Sequence, residues 1–383
     1  MDSITQAALG GVVGELILGK KIGWKGMAWG LLFGTMPDLD VFFSPFMDEV
    51  AQLKWHRGIS HSILLMFVAA FVFAKPLSLM HRKKGVTARR AGVFVFLVWS
   101  THVLIDVFTT YGTQVWEPFS DARVSLNNLF IIDLFFTLPL LVCVLVTVCR
   151  LIWYVIRLII FYRAPIGERE ELPEMFTITG KGAKIALTLS CLYVLFSFTM
   201  KMKATEMIGS RMAKEIPGAE LVQVAPTPLN TILWRGLAET EEGFWITYYS
   251  PFDVERPKWD YIPKHHQLAE PFQDEELFKG LEWFSRDYWV ARRGADGKVV
   301  LIDMRFGELR DVESGLQVPM FQWHMSYDQE GNFTAPMLRP STSMADNGQD
   351  GRKGSGLDIK ASLGLMWDRI GGDLRAWQNT KPF

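Results

Sequence analysis

The sequence is short of cysteine, of net charge and, beyond residue 200, of long apolar runs. Only three cysteines occur among 383 residues, and Cys143, Cys149 and Cys191 all fall within apolar stretches, where cysteine behaves as a small hydrophobe. The C-terminal half has none, which excludes a disulfide framework even in an oxidising compartment. With 40 Lys and Arg against 41 Asp and Glu, the net charge of −1 gives no global pointer to nucleic acid or to an acidic partner. Met1-Asp2-Ser3 supplies no basic n-region, and no small-residue cleavage site closes the first apolar stretch, so a cleavable signal is not expected. No internal repeat is visible.

What is present is an uneven chain. A mean hydropathy of only +0.13 averages an apolar N-terminal half with a polar C-terminal one. Four segments are long enough to cross a core of about 30 Å: 62–80, 91–110, 129–161 and 183–200. The third is too long for one straight span, so 130–149 is read as the crossing and 150–163, with Arg150, Arg157 and Arg163, as an amphipathic continuation on the cytoplasmic surface. Two shorter apolar helices, 4–19 and 24–36, precede them as a tight, Gly-rich pair that either crosses or dips in and returns. Basic stretches at Lys20/Lys21/Lys25, Arg82–Arg90, Arg150–Arg169 and Lys181/Lys184 alternate along the chain, and the positive-inside rule puts them in the cytoplasm. Residues 37–61, 111–128 and everything after 201 then fall outside.

The expected fold is a polytopic α-helical membrane domain, 1–200, followed by a soluble α+β, mostly antiparallel β, domain, 201–383. Residues 289–306 read as a hairpin turning at Asp296-Gly297, 243–252 and 319–327 as strands, and 357–370 as an amphipathic helix. The Ser/Gly/Asp-rich stretch 340–356 reads as mobile.

Polar residues in the membrane half form clusters: Pro37-Asp38-Leu39-Asp40, His56-Arg57-Gly58-Ile59-Ser60-His61, and His102 with Asp106. At 1.5 Å per residue from Arg90, His102 lies roughly 18 Å and Asp106 roughly 24 Å up their helix, on one face. The orientation brings Asp38, Asp40, His56 and His61 to the same outer level. Taken singly, a helix stop, a capped surface loop and an intrahelical His–Asp bond would explain them. Together, three imidazoles and three carboxylates suit a divalent cation that offsets the carboxylate charge, with six ligands enough for one or two ions, zinc first among them. Ser60 is read as the cap of the helix that follows. Paired metals would polarise a phosphoester and activate water. Arg57 and Arg123 offer bidentate contacts to phosphate, and Arg57 and Asp121 are taken as the catalytic pair. Asp133 reads as an interface residue, Glu15 as intramembrane or near the cytoplasmic end, His81 as solvated, and His265, His266 and His324 as structural.

With those residues in hand, the chain resembles the YdjM-type, LexA-binding, inner-membrane-associated metal-dependent hydrolases of bacteria. The likeness lies in Met1–Gly10 (MDSITQAALG), Pro37–Asp40, His56–Ser62, His102–Asp106, and Thr109–Thr113 to Pro118–Asp121, and covers roughly residues 1–135. One departure concerns the opening segment, where Gln6 stands at the His of a T-H-A-L pattern. The resemblance implies a metal-dependent hydrolase. The H-x-x-x-D pattern is also similar to that of zinc-dependent phospholipase C and related zinc nucleases, an analogy from one short motif.

The expected function is thus a bacterial inner-membrane, multi-pass hydrolase with a periplasmic C-terminal domain. It would act on a phosphoester or related bond of a lipid or envelope substrate, touching membrane lipids but no nucleic acid, with 201–383 open to a protein partner. The rivals are an ion-coupled transporter, disfavoured because its polar groups would gather near the midplane, and a metal-stapled scaffold.

Overall fold

The computed structural model describes residues 1–163, 180–294, 296–310, 317–338 and 359–374; the 340–356 stretch lies outside them. The chain divides into two compact units, one of 1–42, 56–126 and 131–196, the other of 43–55, 127–130 and 197–383.

The first unit is helical. Asp2 caps α1 (Ser3–Gly14) by accepting from the Thr5 amide. The helix continues through a π turn, Glu15–Gly19, and Lys20–Ile22, then reverses at Gly23, whose φ of 62° suits glycine. It returns as α2 (Lys25–Thr35). At about 1.5 Å per residue α2 is roughly 16 Å long, too short to cross a bilayer by itself. What holds this antiparallel pair is small-residue spacing: Gly10 and Gly14 on one helix face Gly26, Gly30 and Gly34 on the other. A Cβ at Gly30 would overlap the Gly10 carbonyl oxygen, and one at Gly34 would lie 2.7 Å from the Gln6 carbonyl oxygen. The backbones therefore touch, as small-x-x-x-small pairs allow in membranes.

A 3-10 stretch, Met36–Phe46, leads to α3 (Glu49–Trp55). Among the described residues, four helices long and apolar enough to cross a membrane follow: α4 (Ile63–Met80), α5 (Ala88–Val107), α6 (Leu134–Arg163) and α7 (Lys181–Glu215). Their limits differ from the hydropathy reading where capping intervenes. Ser62, not Ser60, caps α4 through the Leu65 amide. Asp133 accepts from the Phe136 amide, which starts α6 at Leu134 rather than 129. The expected continuation at 150–163 belongs to the same helix: α6 runs unbroken to Arg163, and Ile152, Trp153, Ile156, Ile159 and Ile160 keep an exposed apolar surface there. His81 is half-buried rather than solvated, its Nε2 accepting from Trp29 Nε1 at 2.8 Å.

The second unit is built on antiparallel strands, as the alternating patterns require. A meander joins β1 (Glu220–Pro226), β2 (Trp234–Glu239), β3 (Gly243–Tyr249) and β4 (Asp260–Pro263) in that order. A second sheet carries β5 (Trp289–Arg293) and β6 (Val299–Asp303), the expected hairpin, then β9 (Gln322–Tyr327) and β10 (Phe333–Thr334). β7 (Glu308–Arg310) and β8 (Gln317–Pro319) pair apart. Leu237, Phe244 and Ile246 of one sheet share a core with Val290, Val300 and Ile302 of the other, closed by Met366 and Ile370 of α9 (Ile359–Ile370). The last turns of α7 belong here too, Ala204 and Ile208 packing on Val224, Trp234 and Tyr249. His266 stacks on Trp289 and bonds its carbonyl, a structural role.

Replacing Gly30 by Ala favours the helix by about 1 kcal/mol in isolation, yet here it must push apart a pair of touching backbones. Thermal unfolding in detergent is expected to show a net loss of about 1–3 kcal/mol for Gly30→Ala. Gly182→Ala, whose Cβ would meet nothing nearer than 3.7 Å, is expected to be neutral or slightly stabilising.

Candidate metal centre

Four ligand-type side chains from separate stretches of the first unit meet at one point. Asp38 projects from the 3-10 stretch after α2, His61 ends the 3-10 turn Ile59–His61, and His102 and Asp106 lie one turn apart on the same face of α5. One donor atom from each falls within 4.8 Å of the others, an arrangement able to hold a divalent metal ion. The two Nε2 atoms stand 3.1 Å apart. His61 Nε2 is 3.3 Å from Asp38 Oδ1 and 3.2 Å from Asp106 Oδ2; His102 Nε2 is 3.4 and 3.5 Å from the same atoms. His61, His102 and Asp106 have side-chain exposures of 0, 1 and 0%, while Asp38 keeps 16% and forms the open edge.

The surroundings set which atoms face inward. His102 Nδ1 lies 2.7 Å from the Gly34 carbonyl oxygen, a pure acceptor, so a neutral ring carries its proton there and leaves Nε2 a lone pair. The close approach of α1 and α2 puts that carbonyl in place. Ser60 Oγ donates to Asp40 Oδ2 at 2.8 Å and lies 2.8 Å from His61 Nδ1; with its one proton committed to Asp40, it accepts from Nδ1–H, and His61 also turns a lone pair inward. Asp106 Oδ1 is taken up by the Met1 α-amino group, by Arg57 Nη2 at 3.0 Å and by Gln6 Nε2 at 3.0 Å. Its Oδ2, buried and without a hydrogen-bond donor, points into the cluster. Two lone pairs and two carboxylate oxygens in a buried volume repel one another unless a cation sits among them.

The six expected ligands thus divide. Asp40 and His56 are outside the cluster: His56 Nδ1 bonds Asp40 Oδ1 at 3.1 Å, and Asp40 Oδ2 accepts from the Arg57 amide and Ser60. In this arrangement Asp40 supports His61 through Ser60, and the clustered donors among the described residues are the other four. Burial opposes ionisation of Asp40, and the His56 imidazole bonded to it outweighs that and holds the carboxyl below its usual value.

Arg57 does not stand free for a substrate. Buried, with φ 60°, it directs Nη2 to Asp106 and Nη1 to Thr109 Oγ1, and stacks over Tyr111 at 5.0 Å. Arg123 lies 4.7 Å over the same ring and bonds the Tyr111 and His56 carbonyls. Asp121, the other expected catalytic residue, is exposed and outside the cluster, on a loop that turns Arg123 inward. Asp133 caps α6 and accepts from Tyr193 Oη at 3.1 Å. Glu15 is buried. Gln6 does reach the centre, but by its amide nitrogen.

A helical bundle with four membrane-capable helices and a buried His/Asp cluster defines a polytopic membrane protein with a candidate metal centre. The chain belongs to the YdjM inner membrane protein family, whose model matches residues 1–204 and so includes all four ligand-type residues. It is similar to the uncharacterized protein YfhP of Bacillus subtilis (strain 168), with 26% identity over 142 residues, 35% of this chain and 42% of the relative. The match therefore spans less than half of that relative's length. No solved structure matches the chain.

Ser60→Ala removes the hydroxyl that orients His61 without touching a donor. Loss of such a supporting bond typically lowers metal affinity about 10–100-fold, and chelator competition on the purified protein is expected to show a loss of that size. Thr101→Ala, on the same helix as His102 but bonding only the carbonyls of Leu97 and Val98, should leave affinity unchanged.

Proposed function

We propose that the protein is a membrane-embedded, metal-dependent hydrolase acting on a phosphoester or related bond of a lipid or envelope substrate at the outer face of the inner membrane. One observation carries the metal: the inter-donor distances. Four ligands at zinc bond lengths of 2.0–2.1 Å in a tetrahedron stand about 3.3–3.4 Å apart, and the His61, His102, Asp38 and Asp106 donors lie 3.1–3.5 Å from one another along five of the six edges. Two imidazole nitrogens and two carboxylate oxygens also suit zinc by chemistry. Such an ion, when bound, polarises a phosphoester oxygen and makes water acidic enough to ionise near neutral pH.

The chain's own residues then have distinct duties. Arg57, Gln6 and the Met1 amino group fix Asp106 so that one oxygen alone faces the centre. Asp38, the exposed member, borders the approach. Leu39, Val41 and Phe42, exposed on the same 3-10 stretch at 43, 46 and 70%, give that edge an apolar rim suited to a lipid substrate. The outer-face assignment is supported by charge and by packing. Lys21 Nζ lies 3.5 Å from where a Gly85 Cβ would stand, so two basic stretches share one end of the first unit. Parts of the three stretches assigned outside, 43–55, 127–128 and 202–383, belong to one compact unit.

The burial of three ligands and the presence of four favour a second reading, a closed structural site that staples the helices. The two readings separate on the purified, detergent-solubilised protein. Wild type is expected to hold close to one zinc per chain and to release phosphate or headgroup from a phosphoester lipid. His61→Ala and His102→Ala should lose both the metal and the turnover. Metal content unchanged in both variants would end the ligand assignment, and bound zinc with unfolding on chelation and no turnover would favour the staple.

A further inference from the structure

In sequence, the residues of the centre flank a stretch that belongs to the other compact unit. Asp38 and Asp40 precede residues 43–55, and His56, Arg57, Ser60 and His61 follow immediately, yet 43–55 belongs to the second unit. At the neck of this loop Asp40 and His56 bond each other at 3.1 Å, and Asp40 also accepts from the Arg57 amide.

The head of the loop is α3, which packs on α8 (Glu276–Ser285). Val50 and Leu53 are each 6% exposed. Val50 fits against a point of α8 that has no side chain: a Cβ on Gly280 would overlap Val50 Cγ1 and stand 3.1 Å from its Cβ and Cγ2. The Lys54 ammonium lies 5.7 Å over the Trp283 ring, and Phe43 meets Trp55 edge-on at 5.9 Å, across the two ends of the same stretch. Phe278, Leu281 and Phe284 anchor α8 in the core of its unit, so α3 docks on a helix that is itself fixed.

We infer that the Val50–Gly280 contact makes the C-terminal unit a clamp on the loop that supplies the centre, with Val50 and Gly280 as positioning residues for Asp38, Asp40 and His61. A loop held only at its neck must pay conformational entropy to keep both ends in register; a loop held at neck and head does not open without undocking α3 as well. Metal binding and the state of residues 197–383 are then coupled through the covalent chain. The zinc arm of this inference rests on the metal reading proposed above, whereas the exchange arm does not.

The test uses full-length protein in detergent, with peptide-resolved hydrogen exchange over 56–61 and zinc retention against a chelator. Gly280→Ala is expected to speed exchange at 56–61 about tenfold and to weaken zinc retention about tenfold, the lower end of what losing a ligand support costs. The double variant Val50→Ala/Gly280→Ala, in which the clashing Val50 methyl is gone, should return both to within about threefold of wild type. Should Gly280→Ala fail to fold, Val50→Ala, which only thins the contact, gives the same readout in smaller measure. Faster exchange confined to 49–55 and 276–285, with 56–61 unchanged, would overturn the clamp, as would a double variant no better than Gly280→Ala. If wild type holds no zinc, the metal reading fails while exchange at 56–61 still decides the clamp.

Discussion

Four electron-pair donors pointing into one buried volume constrain this structure more than any other feature. Imidazole lone pairs 3.1 Å apart and carboxylate oxygens beside them are unfavourable neighbours in a low-dielectric interior. They are held there by groups that face away from the centre: the Gly34 carbonyl behind His102, Ser60 and Asp40 behind His61, and Arg57, Gln6 and the Met1 amino group behind Asp106. The arrangement resembles a preorganised ligand set, in which the cost of assembling the donors is met by folding.

That preorganisation depends on how closely two backbones pass. The Gly34 carbonyl reaches His102, and Gln6 reaches Asp106, only because α1 and α2 lie in contact along Gly10, Gly14, Gly26, Gly30 and Gly34. Lipid offers little hydrophobic drive to bring helices together, so close van der Waals packing and interhelical hydrogen bonds must do it. The glycine faces and the metal-type cluster are therefore one device. The first lets the hairpin approach, and the second uses the groups the hairpin presents.

Much of the architecture is legible from hydropathy and charge: four long apolar helices, a Gly-rich hairpin before them, and a β-rich half with a hairpin at 289–303. Helix limits are less legible, because Asp133 and Ser62 decide them by capping rather than by apolarity. Residues 150–163 continue α6 without a break, since the long side chains of Arg150 and Arg157 can carry their charge outward from a continuous helix. At the site, His61, His102, Asp38 and Asp106 are all among the expected residues. Asp40 and His56 bond each other outside that cluster, Ser62 rather than Ser60 caps α4, and Asp121 is exposed while Arg123 turns inward.

The sequence by itself determined the chemical inventory, meaning the donors, their helical spacing where one helix carries two of them, and the small residues that permit tight packing. Spacing along one helix is local geometry, and about 1.5 Å and 100° per residue specify it without knowledge of the rest. Only the tertiary structure decided which carboxylates and imidazoles share a centre, which way each ring turns, and that residues 43–55 belong with the C-terminal unit. Those outcomes follow from contacts between segments distant in the chain, where a backbone carbonyl or a missing side chain such as that of Gly280 settles the matter. Neither leaves a motif to read.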